Sequence, residues 1–247
     1  MFSSAKRHPE PIDLIISHRE CSFSRRNSTS FAVGHIALAY LLGKASAKLL
    51  KVNLNIPLIL VLSIIPDIDI LFEPLIADIH RGPTHSIIVA ILVFIPFFVL
   101  YRQRAMPYFA ALASHSLIGD FFIGGQIQLL WPLSTNEFGL HELGFPYINI
   151  YNPINIALEF TLFAVALIVM LKTRDLFHFF RNNKLNLILI IPIFTVLLPT
   201  FVGYPLRVPI LLVLPHLFYF VLFSVSVLII IVRILNRQND DVASYSS

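Results

Sequence analysis

Charge is scarce in this chain. Only 13% of its 247 residues are Asp, Glu, Lys or Arg, about half the share usual in soluble domains. Hydrophobic residues make up 57%, and the mean hydropathy is +0.79. A water-soluble fold cannot cover that much apolar surface, so lipid is the expected solvent for much of it. Cysteine is nearly absent as well: Cys21 stands alone, which excludes an intramolecular disulfide and a cysteine-based zinc knuckle. Any bound metal must therefore be held by His, Asp and Glu. No glycine-rich phosphate loop is present. The net charge of +4 is modest, and no basic patch with interleaved aromatics occurs, so nucleic acid is not an expected partner.

What the chain does have is long apolar runs. They recur at roughly 31–50, 56–72, 86–101, 107–123, 153–171, 185–202 and 208–235. Each is near the ~20 residues that cross hydrocarbon as a helix, and the runs are continuous rather than alternating, which argues against a β-barrel. The expected fold is all-α: a polytopic transmembrane bundle of six to seven helices over residues 31–235. It is flanked by a polar N-terminal tail over 1–30 and a polar C-terminal tail over 236–247. The run from Phe31 with Ala45-Ser46-Ala47 behind it mimics a cleavable signal, but His35 and Lys44 inside it favour an uncleaved helix. Assigning the Lys- and Arg-rich connections around residues 44–51, 102–104 and 172–184 to the cytoplasm follows the usual charge bias.

Alternate crossing places the unusual polar residues on one membrane face. The acids there are Asp67, Asp69, Glu73, Asp78, Asp120, Glu137, Glu142 and Glu159, with His35, His80, His85, His115 and His141 beside them. Only Arg81 and Arg207 could neutralise those acids locally. Carboxylates at membrane depth cost several kcal/mol each unless paired or metal-bound, and a divalent cation would resolve the excess. Mixed His and carboxylate donors suit zinc, manganese or iron better than calcium.

The motifs differ in strength. Pro66 disfavours helical geometry before Asp67-Ile68-Asp69, and the two acids would stand about 200° apart on a regular helix. They either reach ions from a distorted backbone or cap and solvate a helix end. His80-Arg81-Gly82-Pro83-Thr84-His85-Ser86 is a tight polar loop in which two histidines can converge, with Thr84 placed to cap the next helix. His115 and Asp120 would lie about 140° apart on a regular helix, so they are not expected to share one ion unaided. His35 has only its location in its favour, and Glu159 is a weak candidate. The segment Gln126 to Leu133, with Trp131, reads as an interfacial anchor. His178 and His216 read as structural.

Taken in order, Gly34-His35, Pro66-Asp67-Ile68-Asp69, His80-Arg81-Gly82-x-Thr84-His85-Ser86, Ser114-His115 with Asp120, and Leu129-Leu130-Trp131-Pro132-Leu133 resemble the YdjM-type family of inner-membrane proteins regarded as metal-dependent hydrolases. The resemblance covers about residues 31–135. It implies a helical membrane bundle and hydrolytic chemistry, and distant likeness to zinc-dependent phospholipase C and P1-type nucleases implies phosphoester cleavage. Family members usually carry His directly after the second Asp; this chain has Ile70 there, one candidate ligand fewer.

Together these readings give a membrane-bound metal-dependent hydrolase, multi-pass in the inner membrane, acting on a phosphoester or lipid-like substrate at the interface. The expected cofactor is a divalent metal, zinc first and manganese second, held by His35, Asp67, Asp69, His80, His85, His115 and Asp120. Such an ion would acidify a bound water and polarise the scissile group. Asp67 or Asp120 is the candidate general base, and Arg81 the candidate phosphate clamp. The expected partners are the lipid bilayer and a small-molecule or lipid substrate. Two alternatives remain open: a proton- or ion-coupled transporter, since intramembrane Asp and His are the parts of a proton relay, and a non-catalytic scaffold with a structural metal.

Overall fold

The computed structural model describes residues 31–72, 75–76, 79–122, 126–145, 149–204 and 207–245. The expected N-terminal tail, Glu73, Asp78 and the Gly124-Gly125 pair lie outside them. Helix α1 is Ala32–Leu50, and α2 is Ile56–Leu62, followed by a 3-10 segment Ile65–Phe72. The histidine loop contains a short 3-10 turn, Pro83–His85, and leads into α3, Ile87–Tyr101. Helix α4, Met106–Ser114, runs directly into a π-helical turn, His115–Asp120. Helix α5 is Pro153–Lys172. Helix α6 is a composite, Lys184–Phe201, interrupted by a π-turn at Ile193–Leu197. Helix α7 is Ile210–Tyr245, so the stretch read as a C-terminal tail extends a helix through most of its length. No strand occurs among the described residues, only an isolated bridge between Ile127 and Phe138.

Four of these elements are long and apolar enough to cross a membrane: Ile87–Arg104, Pro153–Lys172, Lys184–Phe201 and Ile210–Gln238. The other three apolar runs fall short for separate reasons. Helix α1 has the length but carries His35, Lys44 and Lys48. Helix α2 ends after 7 residues, where the backbone tightens to 3-10 geometry around Pro66. Helix α4 ends after 9 residues in the π-turn. These three instead fill the middle of the bundle.

Helix α1 is the axis of the fold. Val33, Ile36, Ala37, Ala39 and Tyr40 are fully buried, and it packs most heavily on α4 and α5. Its small residues let neighbouring backbones approach closely, which in lipid is the main source of helix–helix attraction. Helix α3 has no buried residue at all and touches the bundle through contacts such as Phe94 against Phe109, with ring centroids 4.6 Å apart. Local caps start most helices: Asn55 accepts from Leu58 N at 3.1 Å, Asn152 from Ile154 N at 2.9 Å, and Ser86 from Ile88 N at 3.2 Å. Sequence placed the α3 cap at Thr84; Ser86 takes that role, because the hydroxyl of Thr84 is turned away toward Asp69.

The far end of α1 is tied to the segment after α5. Asp175 Oδ2 accepts from Lys44 Nζ at 2.6 Å and from Tyr40 Oη at 2.7 Å. Asp175 lies outside the four candidate spans. Burial pushes its carboxyl up, but the hydrogen bonds from Lys44 and Tyr40 outweigh that and hold it below the usual carboxylate range. A depressed folded-state value stabilises the fold above the unfolded value near pH ~3.9, and that stability is lost as pH falls through the folded value. Asp175→Asn is expected to cost about 1–2 kcal/mol at pH 7, allowing for the partly exposed Lys44. Thermal unfolding in detergent would read this as a midpoint lowered by a few degrees, and the gap to wild type should close below about pH 4.

Candidate metal centre

Seven of the polar residues singled out by sequence converge on one buried region. His35, Asp67, Asp69, His85, His115 and Asp120 are each at most 5% exposed, and the His80 side chain is 7% exposed. They come from four places: the first turn of α1, the 3-10 segment after α2, the histidine loop, and the π-turn after α4.

The π-turn explains a pairing that regular helix geometry forbids. Widening the backbone to i→i+5 bonding brings residues five apart onto one face. His115 Nε2 therefore stands 3.2 Å from Asp120 Oδ2. In the 3-10 segment Asp67 and Asp69 point to different sides, and the imidazole of His85 lies between them. Its Nε2 is 3.4 Å from Asp67 Oδ1, and its Nδ1 is 3.5 Å from Asp69 Oδ2.

Hydrogen bonds behind the rings fix which nitrogen faces inward. His115 Nδ1 lies 2.7 Å from the carbonyl oxygen of Ser63. A carbonyl only accepts, so Nδ1 carries the proton and the neutral ring presents a lone pair at Nε2. His80 Nδ1 donates to Asp69 Oδ1 at 2.7 Å. Thr84 gives its own proton to Asp69 Oδ2 and so accepts from His85 Nδ1 at 3.0 Å. Three histidines thus turn Nε2 away from these partners in the same way. Asp69 stands behind two of them and belongs to neither of the ligand triads described next.

Four inward atoms make a tight set. His85 Nε2 and His115 Nε2 are 3.2 Å apart. Asp120 Oδ2 is 3.3 Å from the first and 3.2 Å from the second. Asp67 Oδ1 is 3.4 and 3.2 Å from the same two atoms. Each carboxylate oxygen thus stands 3.2–3.4 Å from both imidazole nitrogens, close to the ~3.3–3.4 Å between neighbouring donors around a tetrahedral zinc ion. Asp120 Oδ2 and His80 Nε2 are buried with no hydrogen-bond partner. More broadly, His35, His115 and Asp120 form one triad whose ligand atoms lie within 4.8 Å of one another, and Asp67, His80 and His85 form a second. His35 stacks on His115 with ring centroids 3.9 Å apart and reaches Asp120 Oδ1 at 3.6 Å.

Two supports around this centre were not visible as such in the sequence. Glu159, on α5, accepts from Phe31 N at 3.0 Å and Gly34 N at 3.3 Å. Helix α1 has no side-chain cap of its own, so a carboxylate from another helix satisfies its first donors and complements its dipole. This fixes the turn that carries His35. Close approach is required here: a Cβ on Gly119 would sit 2.2 Å from His35 Cε1. The second support is the segment read as a membrane anchor. Gln128 N donates to Arg81 O at 3.0 Å, Ile87 N to Leu129 O at 3.0 Å, and Ser86 Oγ to Trp131 O at 2.6 Å. It folds back along the histidine loop and holds it. Arg81 is 6% exposed within that loop, with a left-handed backbone at φ 67°. Glu137 and Glu142 are exposed and join neither triad. His216 makes structural contacts, 2.9 Å each to Thr200 Oγ1 and Leu197 O.

The sequence profile described as YdjM inner membrane protein matches residues 31–207. No curated protein and no solved structure matches the chain. That profile spans well over half of the sequence and includes every residue of the buried His–Asp cluster, and the chain belongs to the YdjM inner membrane protein family.

Proposed function

We propose that the His–Asp cluster holds one or two divalent cations, zinc before manganese, and that the protein is a multi-pass inner-membrane hydrolase of phosphoester or lipid-like substrates. The observation that carries this is the set of four inward atoms. Two imidazole nitrogens and two carboxylate oxygens, each oxygen 3.2–3.4 Å from both nitrogens, make a buried donor set that a divalent cation would neutralise. Further crossings by α1, α2 with its 3-10 extension, and α4 would complete the count of six to seven helices.

In this reading Asp67, His85, His115 and Asp120 hold one ion, and His35 and His80 extend the set toward a second. A divalent cation there supplies Lewis acidity and an acidified water. The remaining work falls to the chain. Asp69, Ser63 and Thr84 hold three imidazoles in the tautomer that offers Nε2, as carboxylates and carbonyls behind metal-binding histidines commonly do. Asp120 stands between His35, His85 and His115, and whichever of Asp67 and Asp120 does not itself bind the ion would act as general base. Arg81, in the histidine loop, is assigned the substrate phosphate, which a guanidinium can bind through two parallel hydrogen bonds.

Elemental analysis of the purified protein is expected to find about one or two equivalents of zinc or manganese, the range one or two tetrahedral sites would take. His85→Ala and Asp67→Ala should lose it. Absence of metal from folded, metal-supplemented wild type would overturn the reading in favour of a proton-coupled transporter using the same His–Asp pairs.

Asp69→Asn is expected to keep the fold but weaken metal binding about 10–100-fold, read by competition with a chelating dye. Unchanged affinity would return Asp69 to a purely structural role. Arg81→Ala should leave metal content intact while raising KM in a phosphoester hydrolysis assay; an unchanged KM would remove the clamp.

A further inference from the structure

A cavity of about 380 Å³ opens beside the cluster, within the size range of small-ligand sites. Its walls are apolar: Leu38 of α1, Ile118 and Phe122 around the π-turn, and Ile154, Leu158 and Leu162 of α5. The rim faces outward, with Ile154 78%, Leu158 50% and Phe122 48% exposed. Helix α5 is a candidate span of 20 residues, and if it crosses the bilayer its outward residues along that rim meet lipid. At the inner end the lining changes character. His35, Asn155 and Glu159 are there, each at most 2% exposed, and His35 Nε2 is 3.6 Å from Asp120 Oδ1.

Three facts constrain the occupant. Water needs two to four polar partners to settle in a cavity, and most of this lining offers none. Its exposed lining on α5, Ile154 and Leu158, belongs to a candidate span. The inner end nonetheless carries an unmet polar demand: Asn155 uses its Nδ2 to reach Ile150 O at 2.9 Å, while its Oδ1 is buried without a partner. A molecule that fits must be apolar along its length and carry a hydrogen-bond donor at the end beside the His–Asp cluster.

We infer that this cavity seats one acyl chain of a membrane lipid, which enters sideways from the bilayer past the π-turn and α5. A hydroxyl of its headgroup donates to Asn155 Oδ1, and the phosphoester lies toward His35 and Asp120. This rests on the hydrolase reading above and deepens it: the substrate class is a glycerophospholipid taken from the plane of the membrane, not a soluble phosphoester. His35 is then the residue shared by the chain's seat and the reacting centre.

The test uses the full-length protein in nanodiscs of phosphatidylglycerol carrying a diazirine part-way along one acyl chain, with irradiation and mapping of adducts by mass spectrometry. Adducts are expected on Leu38, Leu158 and Leu162 at several-fold the yield on Leu214, which faces outward on α7 and is 71% exposed. Leu158→Trp, which fills the cavity from a half-exposed position, should remove that excess, while Leu214→Trp keeps it. Ile154→Trp at the rim provides the same loss should the first variant fold poorly. Uniform labelling along α5 and α7, or an excess unaffected by both rim variants, would overturn the proposal. Metal content of the same preparations separates the two readings. An adduct excess on metal-free protein keeps the cavity and removes the hydrolase, whereas uniform labelling of metal-loaded protein removes the cavity alone.

Discussion

In the core of the cluster, two imidazole nitrogens face each other at 3.2 Å, with carboxylate oxygens of Asp67 and Asp120 3.2–3.4 Å from both. Four polar side chains are gathered there away from solvent. Three imidazoles are each held from behind by a different element: Ser63 at the end of α2 backs His115, Asp69 in the 3-10 segment backs His80, and Thr84 in the loop backs His85. The irregular backbone of this protein follows from that requirement. A regular helix through Asp67 and Asp69 would not place His85 between them, and a regular helix through His115 would turn Asp120 aside. In the cluster, one 3-10 and one π segment sit where side chains two and five residues apart come together.

Backbone of this kind is costly in lipid, where every unpaired N–H or C=O goes unsatisfied. The arrangement of helices answers this. The 3-10 and π segments that carry Asp67, Asp69, His115 and Asp120 hold those side chains buried among other helices, while four long apolar elements are the candidate spans, of which α6 itself carries a π-turn. Helix α1 is the least apolar of the long helices and also the most enclosed, its first donors closed by Glu159. The far end of the same helix is fixed by Lys44 and Tyr40 on Asp175. The axis that carries His35 is therefore restrained at both ends by carboxylates from outside it.

Much of the centre was legible in the sequence, because scarcity makes polar residues conspicuous in an apolar chain. His35, Asp67, His80, His85, His115 and Asp120 were all picked out, and all converge. What stayed hidden depends on backbone register. The pairing of His115 with Asp120 reads as unfavourable at 100° per residue, and nothing in the residue types announces a π-turn. The roles of Asp69 and Glu159 were hidden for another reason: a carboxylate that orients a histidine, or caps a distant helix, has the same sequence appearance as a ligand. Of the six to seven expected crossings, four elements among the described residues meet the length and hydropathy of a span; apolarity alone does not distinguish a run facing lipid from one buried among other helices, and runs 56–72 and 107–123 are broken by 3-10 and π turns.

The cavity beside His35 links these points. Gly34 and Gly119 remove two Cβ atoms where α1, α5 and the π-turn meet, and that lets Glu159 and His35 pack without closing the space toward Leu158 and Ile118. The capped end of α1, the widened turn and the outward rim of α5 thus meet at one wall. Under the proposed function, a centre buried among the helices with an apolar cavity opening beside α5 would take its substrate from the membrane. Both polar residues lie near the start of their helices: His35 in the first turn of α1, and Glu159 about 9 Å along α5 from Pro153 at 1.5 Å per residue.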